Sequence, residues 1–143
     1  MPNDLWQFDA TELARLIRLG RVSSREATLS CLSRLHAVNP AINAVVRILE
    51  TEALAAAAAA DEVQARGEPL GPLHGVPVTT KVNTDQAGCA TDNGVVAFRD
   101  NIATRDAPVI ANLKHAGAIV IGRPTPRPSR CASLPTMPCT GGP

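Results

Sequence analysis

Among the residues of this sequence that could carry out chemistry, Lys81 has the most informative position. It lies near the end of the apolar segment Val76–Val82, VPVTTKV, which predicts a buried strand, and a polar loop, NTDQAGCATDNG, follows. Burial at a strand end withdraws a lysine from water and favours the neutral amine, which can act as a base. Such a base can activate a serine hydroxyl as a nucleophile. Spacing by itself favours a structural interpretation, in which the side chain extends past the strand into solvent.

The other candidate side chains have ordinary structural interpretations. His74 lies in a turn before a glycine, where a structural or solvated role is expected. Asp85, Asp92 and Asn93 could line a pocket at the strand end, although Asn and Asp in loops commonly form turns. Cys89 in the same loop could be a reactive thiol, but with no histidine paired to it an ordinary thiol is the simpler interpretation.

Composition and charge argue against several classes of protein. The 143 residues carry 14 Lys and Arg against 13 Asp and Glu, whereas nucleic-acid-binding proteins normally show a basic excess. The four cysteines form no CxxC pair, so we expect no metal, and no glycine-rich phosphate loop indicates a cofactor. The longest apolar stretch, Ala55–Ala60, is far shorter than the roughly 20 residues that cross a bilayer. Since no signal peptide is recognisable either, we expect a soluble cytoplasmic protein without membrane or nucleic-acid partners.

Alternating helices and strands are expected to position Lys81. The capping residues Asp9 and Ser23, with Glu12 and Glu26 three residues later, predict two helix starts. The predicted elements are helices over Asp9–Gly20, Ser23–Pro40, about Glu50–Arg66 and Asp106–Gly117, strands over Val76–Val82 and Ala118–Gly122, and a possible strand over Ile42–Ile48. Because AIVIG at 118–122 is wholly apolar, as in parallel sheets, the predicted class is α/β.

Two segments of the chain resemble a known family. GPLHGVPVTTKVNTDQAG, Gly71–Gly88, is similar to the segment around the catalytic lysine of the amidase signature family, and DAPVIANLKHAGAIVIGR, Asp106–Arg123, to the segment that follows it. The N-terminal helices and the INAVV segment extend the resemblance to roughly residues 5–123. Many members have Lys-Asp-Asn where this sequence has Lys81-Val82-Asn83, which leaves the subfamily and the substrate open.

The resemblance implies the N-terminal helices and part of the mixed or parallel sheet of an amidase signature fold. It also implies a serine hydrolase of carboxamides with a Ser–cis-Ser–Lys triad, in which only the lysine maps onto this chain, at Lys81. Both serines belong to a Gly/Ser-rich stretch that lies downstream in the family and is missing here. We therefore expect the N-terminal portion of an amidase for small amides, inactive as this chain.

The last 20 residues differ in character from the rest. Residues 124–143 hold six of the 12 prolines and show no periodicity, which predicts a disordered tail after an amidase portion at 1–123. One back-translation of this tail, read one base out of frame, starts with Thr-Asn-Thr-Pro-Ala-Phe, which resembles family members at this point. We therefore hypothesise a frameshift after Arg123.

Two alternatives stay open. The chain could be a fragment of the glutaminase subunit of a tRNA-dependent amidotransferase, which uses similar lysine and serine segments. It could instead be a non-catalytic helical interaction module in which Lys81 is incidental.

Overall fold

A mixed three-stranded sheet and four helices make up the fold. The computed structural model describes residues 4–93 and 95–125. In chain order the elements are α1 (Ala10–Arg18), α2 (Ser24–Ile42), β1 (Val45–Ile48), α3 (Glu50–Ala65), β2 (Pro77–Thr79), α4 (Pro108–His115) and β3 (Ile119–Pro124), with 3-10 turns at Leu5–Gln7 and Val96–Phe98. The strand order is β1-β3-β2; β3 runs antiparallel to β1 and parallel to β2. The predicted α/β class is confirmed.

Short-range capping contacts begin the first two helices where the sequence predicts. The Asp9 carboxylate accepts a hydrogen bond from the Glu12 N–H at 2.8 Å. At α2 the Ser23 hydroxyl accepts from the Glu26 N–H at 3.0 Å, and the Glu26 carboxylate accepts from the Ser23 N–H at 2.9 Å, which is a complete capping box. Both helix starts are therefore fixed by residues within three positions of each other.

The end of α2 differs from the prediction, since the helix continues through Pro40 to Ile42. Proline removes one backbone donor, but here it lies near the helix end, where the Asn43 N–H still bonds to the Asn39 carbonyl at 2.7 Å. The Asn39 side chain then holds both the N–H and the C=O of Val45, at 2.9 and 2.8 Å. These contacts fix the passage from α2 into β1.

The predicted N-cap of α4 at Asp106 is wrong, because the helix begins at Pro108 with Ala107 as its N-cap. The Asp106 carboxylate instead accepts hydrogen bonds from the Ala87 N–H at 2.8 Å and the Lys114 amine at 2.6 Å. The Lys114 hydrogen bond lowers the pKa of Asp106 below its ordinary value. Asp106 thus ties the loop after β2 to the last turn of α4.

Two apolar clusters form the core. The first packs α1 against the start of α2 and against Val76; its buried members are Leu13, Ala14, Ile17, Ala27 and Val76. The second packs α2 and α3 against β3; its buried members are Leu32, Ala53, Ala57, Ile119 and Ile121. In α4, Ile110 is buried but Val109 is exposed. Since β3 lies between two strands and under two helices, it is the most firmly supported strand.

The sheet continues across the predicted boundary at Arg123. Pro124 still pairs with Val45, and the Thr125 N–H bonds to the Ala44 carbonyl at 3.1 Å. The rest of the proline-rich segment, residues 126–143, lies outside the described residues. No helix within the described ranges combines the length and the apolar character needed to cross a membrane.

Candidate functional site

Lys81 lies two residues after the end of β2, in a backbone that is tied to the central strand on both sides. The Thr80 N–H bonds to the Gly122 carbonyl and the Val82 N–H to the Pro124 carbonyl, each at 3.1 Å. The regular pairing of β2 ends at Thr79, so the strand is shorter than predicted. The backbone of Lys81 therefore has a defined position beside β3.

The side chain of Lys81 is exposed, whereas Thr80 and Val82 are buried. Extended backbone alternates its side chains between two faces, so burial of Thr80 and Val82 directs Lys81 to the opposite face. The described residues do not cover that face at Lys81. The predicted desolvation of Lys81 is thus wrong for the described part of the chain, because no element of it packs over the amine.

Arg123 is a buried residue at this site that sequence reasoning missed. Its side chain is 1% exposed, and its guanidinium donates to three backbone carbonyls: Nη2 to Thr84 at 2.6 Å and to Lys81 at 3.2 Å, and Nη1 to Ala90 at 2.6 Å. The available signal was an arginine placed directly after the wholly apolar strand segment at 118–122. An arginine there must lie next to the parallel neighbour β2, whose chain continues into Lys81.

Besides its bonds to Arg123 and Asp106, the loop after Lys81 contains hydrogen bonds between polar side chains. The buried Thr80 hydroxyl donates to the Gln86 side chain at 2.8 Å, and the Thr91 hydroxyl donates to the Asp85 carboxylate at 2.6 Å. Asn93 has a left-handed backbone with φ of 52°, which asparagine tolerates in turns. Asp85 and Asn93 thus stabilise the conformation of the loop, as Asn and Asp commonly do in turns.

A cleft of about 600 Å³ lies apart from Lys81, between α3, the start of β3 and residues 86–89. His74 and Cys89 are among its lining residues. The His74 Nε2 atom lies 3.0 Å from the Ala60 carbonyl oxygen and the residue is buried, which confirms the predicted structural role. Cys89 is buried. The cleft and the lysine are therefore separate features of the described residues.

The described residues place no serine beside Lys81. Their four serines all lie at the start of α2 or within it: Ser23, Ser24, Ser30 and Ser33. Ser23 caps the helix, and Ser24 is fully buried against Gly75, where an added Cβ would come within 2.1 Å of the serine oxygen. The described part of the chain thus offers a positioned amine without an adjacent hydroxyl nucleophile.

The sequence matches the Amidase family model over residues 26–128, which is well over half of the chain. An indoleacetamide hydrolase of Bradyrhizobium diazoefficiens is 53% identical over 118 residues, which cover 82% of this chain and 22% of that protein. A glutamyl-tRNA(Gln) amidotransferase subunit of Moorella thermoacetica is 37% identical over 120 residues, which cover 84% of this chain and 25% of that protein. The amidase resemblance is confirmed, and the amidotransferase alternative is the weaker of the two.

The fold agrees with these matches. The native peptide amidase of Stenotrophomonas maltophilia superposes with a TM-score of 0.78 at 31% identity, over 86% of this chain and 26% of the amidase. The chain spans about a quarter of the length of the relatives that it matches. The family match, over residues 26–128, contains Lys81. The chain therefore belongs to the amidase family.

Proposed function

We propose that Lys81 is the general base of an amidase site for small carboxamides, whose two serines are not among the residues of this chain. The observation that carries this proposal is the arrangement around β2: hydrogen bonds on both sides of Lys81 fix its backbone on β3, while its amine stays uncovered. A base must hold one position relative to its partner and remain reachable by it. The sequence resemblance implies the family's Ser–cis-Ser–Lys triad, which requires a lysine with a fixed backbone and an accessible amine.

The proposed reaction is acyl transfer through a serine. The neutral amine of Lys81 takes the proton of a bridging serine, which takes the proton of the nucleophilic serine. The nucleophile forms a bond to the amide carbon, and the C–N bond breaks as the leaving nitrogen receives a proton. Water then attacks the acyl-enzyme, which releases the acid and restores the serine. Backbone N–H groups would stabilise the oxyanion in both steps.

The class of substrate follows from the relatives and is part of the proposal. Indoleacetamide is the amide to test first, because the relative named for it is 53% identical to this chain. The amidotransferase relative is less similar, at 37% identity, so it stays the second candidate. We propose a cytoplasmic protein that acts without a nucleic-acid partner or a cofactor.

A graft tests the role of Lys81. Residues 5–123 of this chain would replace the matching segment of the Bradyrhizobium indoleacetamide hydrolase, and ammonia release from indoleacetamide would be measured. The chain has two lysines, and the second, Lys114, is paired with Asp106 at 2.6 Å, so Lys114→Ala is a matched control. We expect Lys81→Ala to lower kcat by about 10³-fold or more, the usual result for loss of a triad member, and Lys114→Ala by less than about threefold.

A graft that keeps more than a tenth of its kcat after Lys81→Ala would contradict the proposal. The 143-residue chain by itself is expected to release no ammonia from the same amide, because its serines lie in α2 or in the proline-rich segment. Turnover by the chain alone that disappears with Lys81→Ala would show that it contains a complete site.

A further inference from the structure

We propose that Arg123 is a positioning residue that holds the turn carrying Lys81 in place; its effect on catalysis rests on the function proposed for Lys81. Arg123 belongs to β3, and its guanidinium bonds to the carbonyls of Lys81 and Thr84, which begin and end the turn at 81–84. A further bond, to the Ala90 carbonyl, reaches the far end of the following loop. One side chain thus joins the central strand to both ends of the turn.

The chemistry of Arg123 is unusual for a residue that only fills space. It is 1% exposed, and its Nε–H lacks a hydrogen-bond partner within the described ranges. None of the ion pairs formed there includes Arg123. Burial of a cation is costly unless its donors are well placed, and an apolar side chain of similar volume often packs as well. A planar guanidinium can donate to several carbonyls at once and so hold their orientation, which an apolar side chain cannot do.

The hydrogen bonds of Arg123 restrain the backbone of Lys81. The Lys81 carbonyl accepts from both the Thr84 N–H, at 3.1 Å, and Arg123 Nη2, at 3.2 Å. The Val82 N–H is also bonded to β3, so the Lys81–Val82 peptide group is held through both its C=O and its N–H. Holding the carbonyl of Lys81 restricts its backbone rotation and so the direction of its Cα–Cβ bond. Without the guanidinium, the turn would keep only its own internal bond and one bond to the strand.

Hydrogen exchange on the 143-residue chain tests the structural part, with Arg123→Met as the neutral variant of similar length. We expect the amides of Val82 and Thr84 to exchange at least about tenfold faster in the variant. The Ile119 amide, bonded to Val76 at the start of β3, should change less than about twofold and serves as the internal control. Equal acceleration of all three amides, or of none, would overturn the proposal, because Arg123 would then be a general stabilising residue or would not hold the turn.

Kinetics of the graft test the consequence for catalysis. Arg123→Met should lower kcat by about 30-fold or more with KM changed less than threefold, because a displaced base affects the chemical step and not substrate binding. Arg123→Lys keeps the charge and three donors, so kcat should return to within about fivefold of the parent. An unchanged kcat in Arg123→Met, or a loss that appears only in KM, would overturn the inference.

The two proposals fail separately. If Lys81→Ala abolishes turnover and Arg123→Met does not lower it, the positioning role fails and the base remains. If Lys81→Ala leaves turnover intact, the proposed function fails whatever the exchange data show. Where Arg123→Met yields no folded protein, Arg123→Gln takes its place: kcat must fall together with faster exchange at Val82 and Thr84, and a change in one without the other, or in neither, would overturn the inference.

Discussion

Asp61, in the middle of the chain, is expected to stabilise the start of a helix that lies 37 residues earlier. Its carboxylate, on α3, accepts from the Ser24 N–H at 2.6 Å and from the Arg25 N–H at 3.2 Å, the first two donors of α2. Ser24 is fully buried in the parent chain, so its N–H depends on Asp61 as its acceptor and loses it in Asp61→Ala. A buried unsatisfied donor costs about 1–3 kcal/mol, and loss of a negative charge at a helix N-terminus adds about 0.3–1 kcal/mol. The exposed Arg25 N–H can bond to water and adds little.

The free energy of unfolding should therefore fall by about 2–3 kcal/mol in Asp61→Ala, with Tm lower by roughly 8–12 °C for a chain of this size. Asp61→Asn keeps an acceptor oxygen and loses the charge, so it should cost about 1 kcal/mol. Urea unfolding followed by circular dichroism at pH 7 measures these differences.

The neighbouring Glu62 is the matched control for Asp61. Its exposed carboxylate lies 3.9 Å from Arg66, and Glu62→Ala should cost less than about 0.5 kcal/mol. If Asp61→Ala and Glu62→Ala lower the free energy of unfolding by the same amount, the hydrogen bonds from Asp61 do not stabilise the start of α2. Equal free energies of unfolding for Asp61→Asn and Asp61→Ala would lead to the same conclusion.

Two further predictions concern Gly117 and Asp106. Gly117 has φ of 89°, and an added Cβ would lie 2.7 Å from the His74 Cα, so Gly117→Ala should lower the free energy of unfolding by roughly 2–4 kcal/mol. Gly67 has φ of 70° but open space around it, so Gly67→Ala should cost only about 1 kcal/mol. Equal losses for the two variants in urea unfolding would refute the contact between residue 117 and His74. The Lys114 hydrogen bond lowers the pKa of Asp106 below its unfolded value of 3.8, so this stabilisation is present above about pH 4 and is lost as the pH falls through the folded pKa. Asp106→Asn should therefore be less stable than the parent chain by roughly 0.5–1 kcal/mol at pH 7, and this difference should shrink as the pH falls through the folded pKa of Asp106; a difference that does not shrink in acid would contradict the ion pair as its source.

Sequence patterns were sufficient for several features whose deciding contacts are short in range. The side-chain caps at Asp9 and Ser23 and the end of the alanine-rich α3 before Gly67 depend on residues within a few positions of each other. Amphipathic spacing and capping boxes encode such contacts directly. The motifs at 71–88 and 106–123 were likewise enough to indicate the amidase family, which the family match confirms.

Tertiary structure decided the features whose partners lie far apart in the chain. The Arg123 bond to the Lys81 carbonyl spans 42 residues, and the cap from Asp61 to Ser24 spans 37. No local spacing encodes either contact, because each depends on which strand or helix becomes a neighbour in space. The exposure of Lys81 has the same origin: the motif located the lysine at the strand end, but burial depends on an element that packs over it, and the described residues supply none. The sequence thus located the lysine that we propose as the base, and only the fold showed which distant residues hold its backbone.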